Sequence, residues 1–173
     1  MIRFFFSVTL LTMSTLSYSY GNGINQMALQ LQAMYNINKV KAEQGDPRAQ
    51  YEMGGIHESG SQPLSIAPNL NQAFYWYSKA AQNGFIKAQV KLGNFYQYGF
   101  GTAQNLDYAT MWFSKAAKAG NWMGNKGLAE IYEERGNFKK AYKNWKVAAE
   151  SGDQESKLRL DNLCNKKPMV CKN

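Results

Sequence analysis

Apolar and small residues recur along the chain with the spacing of paired amphipathic helices. Four segments end alike, with an alanine three positions before a closing glycine: 39–45, 78–84, 114–120 and 146–152. After each closing glycine, a small residue follows at the fourth position and an apolar residue four positions later. This spacing places both residues on one face of a helix with 3.6 residues per turn. The pattern predicts a series of helices that pack through small and apolar side chains.

A second helix completes each repeat. It is expected to begin near Ala73, Ala109 or Ala141, to carry large aromatic residues, and to end at the closing glycine. Glycine just past a helix end adopts the left-handed conformation at little cost. A hairpin of this size cannot bury its own apolar face, so successive hairpins must stack. The sequence therefore predicts an all-α solenoid of helix-turn-helix units.

The ends of the chain are expected to differ from the repeats. Residues 24–44 have apolar residues at 24, 27, 31 and 34/35, with Asn38 at the next position of the same stripe, a helical spacing that would cap the stack. A closing helix is expected from 153 to about 164. The loop of the first hairpin, within 60–72, is three residues longer than that of the second. We predict four segments: a signal peptide (1–20), an N-terminal capping helix (21–45), the repeat solenoid (46–164) and a C-terminal tail (165–173).

The first twenty residues have the pattern of an export signal. Arg3 precedes an apolar run over 4–13, and the small residues Ser17 and Ser19 flank Tyr18. This pattern predicts a signal peptide cleaved near Ser19 or Tyr20. The alternative is an uncleaved anchor, but the run is shorter than the roughly 20 residues that span a bilayer. We expect bacterial Sec-type export to the periplasm or the outside of the cell, with no membrane span after cleavage.

The net charge adds little to this picture. The whole chain carries +8, and removal of residues 1–20 leaves +7 because that segment holds one Arg and no acid. Such a balance suits nucleic acid, a membrane surface or an acidic protein partner. Export argues against nucleic acid, and no run of basic residues is longer than two. A solvated basic surface without a dedicated partner remains the alternative.

Few residues suggest catalytic chemistry. His57 is the only histidine, so a two-histidine metal site cannot be built, and its place in the repeat is one where other units have tyrosine. Glu130, Glu133 and Glu134 suggest paired carboxylates or a cation site, but a solvated helix face is the favoured interpretation. The tryptophans suggest a stacking platform for sugars or bases, but their fixed repeat positions favour packing (Trp76, Trp112 and Trp145). We expect no enzymatic activity, no metal and no cofactor.

The two cysteines are expected to form a disulfide. Cys164 and Cys171 are seven residues apart on either side of Pro168, and their number is even in a chain that is expected to be exported. Oxidising compartments favour such a bond. The bridge would hold the tail against the last helix.

The repeat resembles a known family. The pattern A-x-x-x-L-G-x-x-Y, a Gly-x-Gly loop and then A-x-x-W-Y/F-x-K-A-A-x-x-G is similar to the Sel-one-like repeat, a relative of the tetratricopeptide repeat. The middle unit, 88–120, matches at nearly every position, whereas the first, 49–84, departs at His57 and in its loop. The third, 124–152, departs most, with a short loop and Asn144 where the other units have tryptophan. The resemblance implies a right-handed superhelical solenoid used for protein–protein contact, often in exported bacterial proteins.

The resemblance also implies where a partner would bind. In that family the first helices line a concave face, and the inward-facing positions correspond here to Arg48, Tyr51, Glu58, Lys87, Val90, Asn94, Gln97, Tyr98, Met123, Lys126, Glu130 and Glu133. Such a groove would be basic and aromatic toward the N-terminus and acidic toward the C-terminus. The alternatives are the convex side and the loop 60–72. We expect a monomeric interaction scaffold; the alternative is a periplasmic immunity or inhibitor protein that neutralises a secreted toxin such as a lipase, since some relatives resemble such proteins.

Overall fold

The computed structural model describes residues 26–172, so the predicted signal peptide lies outside the described residues. The described chain is all-α. Helix α1 covers 26–43 and is followed by α2 (Pro47–Ser59), α3 (Leu70–Gln82), α4 (Ile86–Tyr98), α5 (Leu106–Lys118), α6 (Trp122–Glu134), α7 (Phe138–Glu150), α8 (Gln154–Lys166) and α9 (Pro168–Cys171). A short 3-10 helix, Gln62–Leu64, interrupts the loop between α2 and α3.

The helices form a stack of hairpins. Each helix from α2 to α8 has 13 residues and packs against its neighbours in the sequence, which pairs α2 with α3, α4 with α5 and α6 with α7. Helix α8 closes the stack, and α4 also contacts α6 across the series. The predicted all-α solenoid is therefore confirmed. Within 26–172, every helix is too short or too polar to cross a membrane.

The second helix of each hairpin begins three residues earlier than predicted. The observed starts are Leu70, Leu106 and Phe138, because asparagine caps each of these helices. The side chains of Asn69, Asn105 and Asn137 accept hydrogen bonds from backbone N–H groups of the first turn. An N-cap asparagine satisfies donors that lack a partner within the helix.

Glycine and aromatic residues meet where the hairpins pack. In the second unit, the ring of Phe113 on α5 lies directly against Gly93 on α4, and Tyr77 makes the same approach to Gly54 in the first unit. Phe113 and Tyr77 are almost wholly buried. The small residues of the pattern therefore allow the neighbouring helix to approach closely, as predicted, and here an aromatic ring occupies the contact.

The tryptophans belong to the core. Trp76 and Trp112 are each 7% exposed and Trp145 is completely buried. The packing interpretation is confirmed for all three. Trp145 occupies the position of Tyr77 and Phe113, and its indole N–H donates to Glu133 of α6 at 3.1 Å.

The N-terminal helix packs differently from the prediction. Tyr35 and Ala42 contact the first hairpin, and the Asn38 amide donates to Glu52 of α2. Met27 and Met34, which the predicted stripe turned toward the stack, are instead more than 60% exposed. Because α1 is apolar around much of its circumference, its spacing alone does not identify the packed face.

The C-terminal tail is shorter and more ordered than expected. Helix α8 extends to Lys166, and the tail then forms the single turn α9. Cys164 and Cys171 are joined by a disulfide, with their Cα atoms 5.6 Å apart, as predicted. Helix α9 contacts both α7 and α8, so the bridge holds the tail over the end of the stack.

Candidate functional site

A cleft opens where the first helices of successive hairpins lie side by side. It has a volume of about 410 Å³ and lies between α4, α6 and the start of α8. Six of the predicted groove residues line it: Val90, Asn94, Tyr98, Met123, Lys126 and Glu130. Trp122, Gly127 and Glu155 complete the walls, although the sequence analysis did not select them. We refer to this site as the central cleft.

Tyr98 and Glu130 form one wall of the central cleft. The Tyr98 hydroxyl donates to Glu130 at 3.4 Å, and the Gln97 amide donates to the same carboxylate at 3.1 Å. Partial burial and the nearby negative charge of Glu130 raise the pKa of Tyr98 above its usual value. Tyr98 still has 54% of its surface exposed. It is therefore a fixed but accessible aromatic side chain, of the kind that often dominates binding energy.

Lys126 is held at the opposite wall by acidic residues of α8 and its cap. Its ammonium contacts Glu155 and lies 3.7 Å from Asp153. Burial alone would lower the pKa of Lys126, but the hydrogen bond with Glu155 and the surrounding carboxylates raise it. The hydrogen bonds from Ser156 and the charge of Lys126 lower the pKa of Asp153. Lys126 is therefore charged and fixed in place before any partner arrives.

A second depression lies at the N-terminal end of the groove. It is lined by Arg48, Tyr51, Glu52, Phe85 and Lys87 and has a volume of about 390 Å³. Arg48 pairs with Glu52 at 3.1 Å, whereas exposed Lys87 has no salt bridge to any described residue. The groove is thus basic and aromatic at this end, where the sequence placed that character.

Tyr51 is less available than its position suggested. Its ring centroid lies 5.1 Å from that of Phe85 and 5.5 Å from that of Tyr77, and the side chain is half-buried. Aromatic pairs at these distances stabilise the fold. Tyr51→Ala is therefore expected to lower the stability of the fold, because the substitution would remove the ring contacts with Phe85 and Tyr77.

Glu58 links consecutive hairpins. It accepts a hydrogen bond from the Tyr77 hydroxyl at 2.6 Å and pairs with Lys91 of α4 at 2.8 Å. Burial, the hydrogen bond to Glu58 and the charge of Glu58 all raise the pKa of Tyr77. Lys91 was missed by the sequence analysis, although it lies on the same helical face as Lys87 and Asn94.

Two other predicted groove residues direct their side chains to neighbouring residues of the fold. Gln97 is 6% exposed, and its amide supports Glu130. Glu133 is turned toward α7, where it accepts the hydrogen bond from Trp145. We therefore assign both residues a positioning role, because neither presents a free polar group to the central cleft.

The loop of the first hairpin is an ordered alternative surface. Ser61 and Ile66 exchange backbone hydrogen bonds, and Ser65 between them has a positive φ of 52°. The loop residues Ser59–Ser61 and Ser65–Pro68, with Gln62, enclose a depression of about 540 Å³. This loop has no charged side chain, so it offers shape and backbone groups rather than electrostatic attraction.

The candidate catalytic residues are distributed across the fold. His57 is half-buried on α2, and burial together with the charge of Lys39 lowers its pKa. Glu130 belongs to the central cleft, Glu133 contacts Trp145 and Glu134 is exposed. In the described part of the chain, no group of three or more His, Cys, Asp or Glu could hold a metal ion. The arrangement provides anchoring and charge complementarity along a groove.

Comparison with known proteins gives one consistent family. The Sel1 repeat family matches the chain three times, at residues 47–85, 86–121 and 123–153. A Sel1-like repeat-containing protein of Acanthamoeba polyphaga mimivirus is 31% identical over 132 residues, which cover 75% of this chain and 24% of that protein.

Two solved structures share the fold. The first is a protective antigen of uropathogenic Escherichia coli strains that displays an SLR fold. It superposes with a TM-score of 0.67 and is 31% identical, and the match covers 74% of this chain and 28% of that chain. The second is a Sel1 repeat protein from Oxalobacter formigenes, with a TM-score of 0.65 and 32% identity. That match covers 75% of this chain and 52% of that chain. This chain thus spans about a quarter to a half of these relatives. The three matches cover more than half of its residues, and the chain belongs to the Sel1 repeat family.

Proposed function

We propose that this chain is an exported interaction scaffold that binds a partner protein or peptide in its concave groove. Sel1 repeat proteins are generally protein–protein interaction scaffolds, and the fold is of a non-enzymatic type. The observation that carries the proposal is the central cleft, where six residues selected from the repeat pattern line one cavity.

The composition of the central cleft favours an amphipathic segment as ligand. Val90 and Met123 provide an apolar floor, while Asn94, Lys126 and Glu130 provide polar groups around it. Because Lys126 is outnumbered by Glu130 and Glu155, the cleft carries a net negative charge, and a neutral or basic side chain of the ligand suits it better than an acidic one. A helix or extended peptide with one apolar edge would satisfy both kinds of group.

The N-terminal depression would add selectivity to this binding. Arg48 and Lys87 project from neighbouring helices beside Tyr51 and Phe85. An acidic residue in the partner would be attracted to this end, which fixes the direction in which the segment lies. Electrostatic complementarity of this kind mainly raises the association rate and the specificity.

Side chains that contact each other before binding reduce the cost of association. The Glu58–Lys91 and Lys126–Glu155 pairs join successive first helices, and Tyr98 is held by Glu130. A groove ordered in this way loses little conformational freedom when a partner binds. The same property suits the alternative function, an immunity or inhibitor protein that neutralises a secreted toxin such as a lipase.

A substitution pair tests the groove. Tyr98→Ala removes an anchor that is 54% exposed on the concave face, whereas Tyr75→Ala removes a tyrosine that is 47% exposed on α3, a second helix. Once affinity capture and mass spectrometry have identified a partner, its dissociation constant is measured with each variant. We expect Tyr98→Ala to weaken binding by about 1–3 kcal/mol.

The matched control defines the contrary result. Tyr75→Ala should bind like the wild type, and both variants should keep the wild-type circular dichroism spectrum. Equal affinity of both tyrosine variants, together with loss of binding when the loop 60–72 is altered, would assign the function to that loop. If the partner is a toxic enzyme and the wild-type chain suppresses its activity in proportion to binding, the inhibitor function is the correct one.

A further inference from the structure

The positive charge of the chain is concentrated at one end of the stack. Residues 135–172 contain ten Lys and Arg and four Asp and Glu, a net charge of +6. Residues 26–134 contain nine Lys and Arg and eight Asp and Glu, a net charge of +1. The last two helices and α7 therefore carry nearly all the excess charge of the described chain.

Five exposed lysines of this end lie on α7, at the end of α8 and at the two caps of α9. Val170 and Lys139 line the same depression beside Phe138, and the Lys167 ammonium lies 5.1 Å from the centre of the Phe138 ring. Lys143 follows Lys139 by one turn of α7. Lys166 is the last residue of α8, and Lys172 caps the C-terminal end of α9. We define the basic tip as Lys139, Lys143, Lys166, Lys167 and Lys172.

The lysines of the basic tip lack acidic partners within the described residues. None of the five forms a salt bridge with any residue of 26–172, and Asp161 is the only acid between 156 and 172. By contrast, Arg135 pairs with Asp107 and Arg159 lies 4.0 Å from Glu155. Unpaired like charges repel each other, so this cluster lowers the stability of the isolated protein unless an anionic surface compensates.

An apolar side chain projects among these charges. Met169 is 78% exposed, the highest exposure among the large hydrophobic residues described. It lies on α9, which the Cys164–Cys171 disulfide and contacts with α7 and α8 hold in place. The protein therefore presents a fixed apolar residue on a helix that Lys167 and Lys172 flank.

We infer that the basic tip docks on an anionic lipid surface, with Met169 entering the headgroup region. The lysine ammonium is a point charge that does not require the two-pronged geometry of arginine, and it suits phosphates that move laterally. Each basic residue near an anionic bilayer contributes its own attraction to the binding free energy. Burial of an adjacent apolar residue in the bilayer adds further affinity. An acidic protein would need neither an exposed Met169 nor so diffuse a set of charges. The inference concerns a surface other than the groove, so it stands or falls independently of the proposed function.

Vesicle flotation tests the docking surface. The protein is purified in the form that cells accumulate and is mixed with phosphatidylcholine vesicles that contain none or about 30% phosphatidylglycerol, since only the latter have a strong negative surface potential. The wild type should bind only the anionic vesicles, and binding should weaken strongly between about 0.1 and 1 M salt because the Debye length falls about threefold.

Matched charge variants locate the contact. The triple variant Lys139→Gln, Lys143→Gln, Lys166→Gln should lower the vesicle partition coefficient about 100-fold, or about fivefold per lysine. The control triple variant changes exposed lysines at the other end and middle of the stack, Lys39→Gln, Lys41→Gln and Lys118→Gln. Its partition coefficient should fall less than about fivefold, since those charges are outside the contact. An equal loss in both triple variants would overturn the inference, because binding would then follow the net charge or helix α1.

A further variant separates lipid from other anions. Met169→Ser should reduce vesicle binding about three- to tenfold, because a buried thioether side chain is lost. The same variant should bind soluble polyglutamate as the wild type does. If Met169→Ser binds vesicles like the wild type, or if the wild type binds polyglutamate but not anionic vesicles, the tip recognises an acidic macromolecule and the inference is wrong.

Discussion

The contact between Gly93 and Phe113 gives the sharpest test of how the two helices of one repeat pack. A Cβ atom added at Gly93 would lie 2.6 Å from Cε1 of Phe113 and 2.7 Å from Cδ1. Because the Phe113 ring is completely buried, it has no solvent space into which to move. Overpacking of a core by one methyl group costs about 1–3 kcal/mol.

An opposing effect must be subtracted from this cost. Replacing glycine by alanine inside a helix normally stabilises it by about 0.5–1 kcal/mol, because glycine loses more conformational freedom on folding. Gly93→Ala should therefore lower the free energy of unfolding by a net value of about 1 kcal/mol, the middle of a range of about 0–2.5 kcal/mol. Gly55→Ala is the matched control, since its Cβ would lie 3.7 Å from the Tyr77 hydroxyl, an ordinary contact.

Chemical denaturation followed by circular dichroism measures both changes. Gly55→Ala should be as stable as the wild type or more stable, and Gly93→Ala less stable. A double-mutant cycle with Phe113→Leu should show that the cost of Gly93→Ala shrinks when the ring is absent, since residues in contact are not additive. If Gly93→Ala is as stable as Gly55→Ala, ring contact does not explain why this position is glycine.

Two further predictions concern folding and export. The stability of the protein should decrease as the pH falls through about 6.5, the unperturbed histidine value, because the pKa of His57 is lower in the folded chain and the unfolded chain therefore binds the proton first. His57→Gln should remove this dependence in thermal unfolding measured between about pH 5.5 and 7.5, whereas an unchanged slope would show that His57 does not cause it. For export, the intact mass of the protein from fractionated cells should correspond to a chain that begins near Tyr20 or Gly21; an unprocessed chain in the cytoplasm would contradict the export proposal.

Local features were the most predictable from the sequence. The hairpins, their closing glycines and the buried tryptophans follow from helical spacing and from the left-handed conformation that glycine favours. At Gly84 and Gly120, for example, φ is +82° and +80°. The early starts of α3, α5 and α7 were predictable in principle, because an asparagine precedes each helix, but those residues had been assigned to the loops.

Contacts between repeats were harder to predict from the sequence. Glu58 pairs with Lys91 and Gln97 with Glu130, in each case 33 residues along the chain. Such pairs depend on how far one hairpin is rotated and shifted against the next, which helical periodicity does not determine. For the same reason, the sequence selected Gln97 and Glu133 as groove residues, although their side chains support neighbours. The basic tip was also missed, because its lysines come from α7, from α8 and from the two caps of α9, with no basic run longer than two.

Position-specific cross-linking tests the central claim, that a partner occupies the concave groove, most directly. A photoreactive phenylalanine analogue is placed at Tyr98 in the central cleft, at Tyr75 on α3 or at Gln62 in the loop of the first hairpin, all of them exposed positions. After irradiation of living cells, cross-linked proteins are identified by mass spectrometry. We predict a specific protein adduct from position 98 and none from position 75. An adduct from position 62 or 75 with none from position 98 would contradict the account.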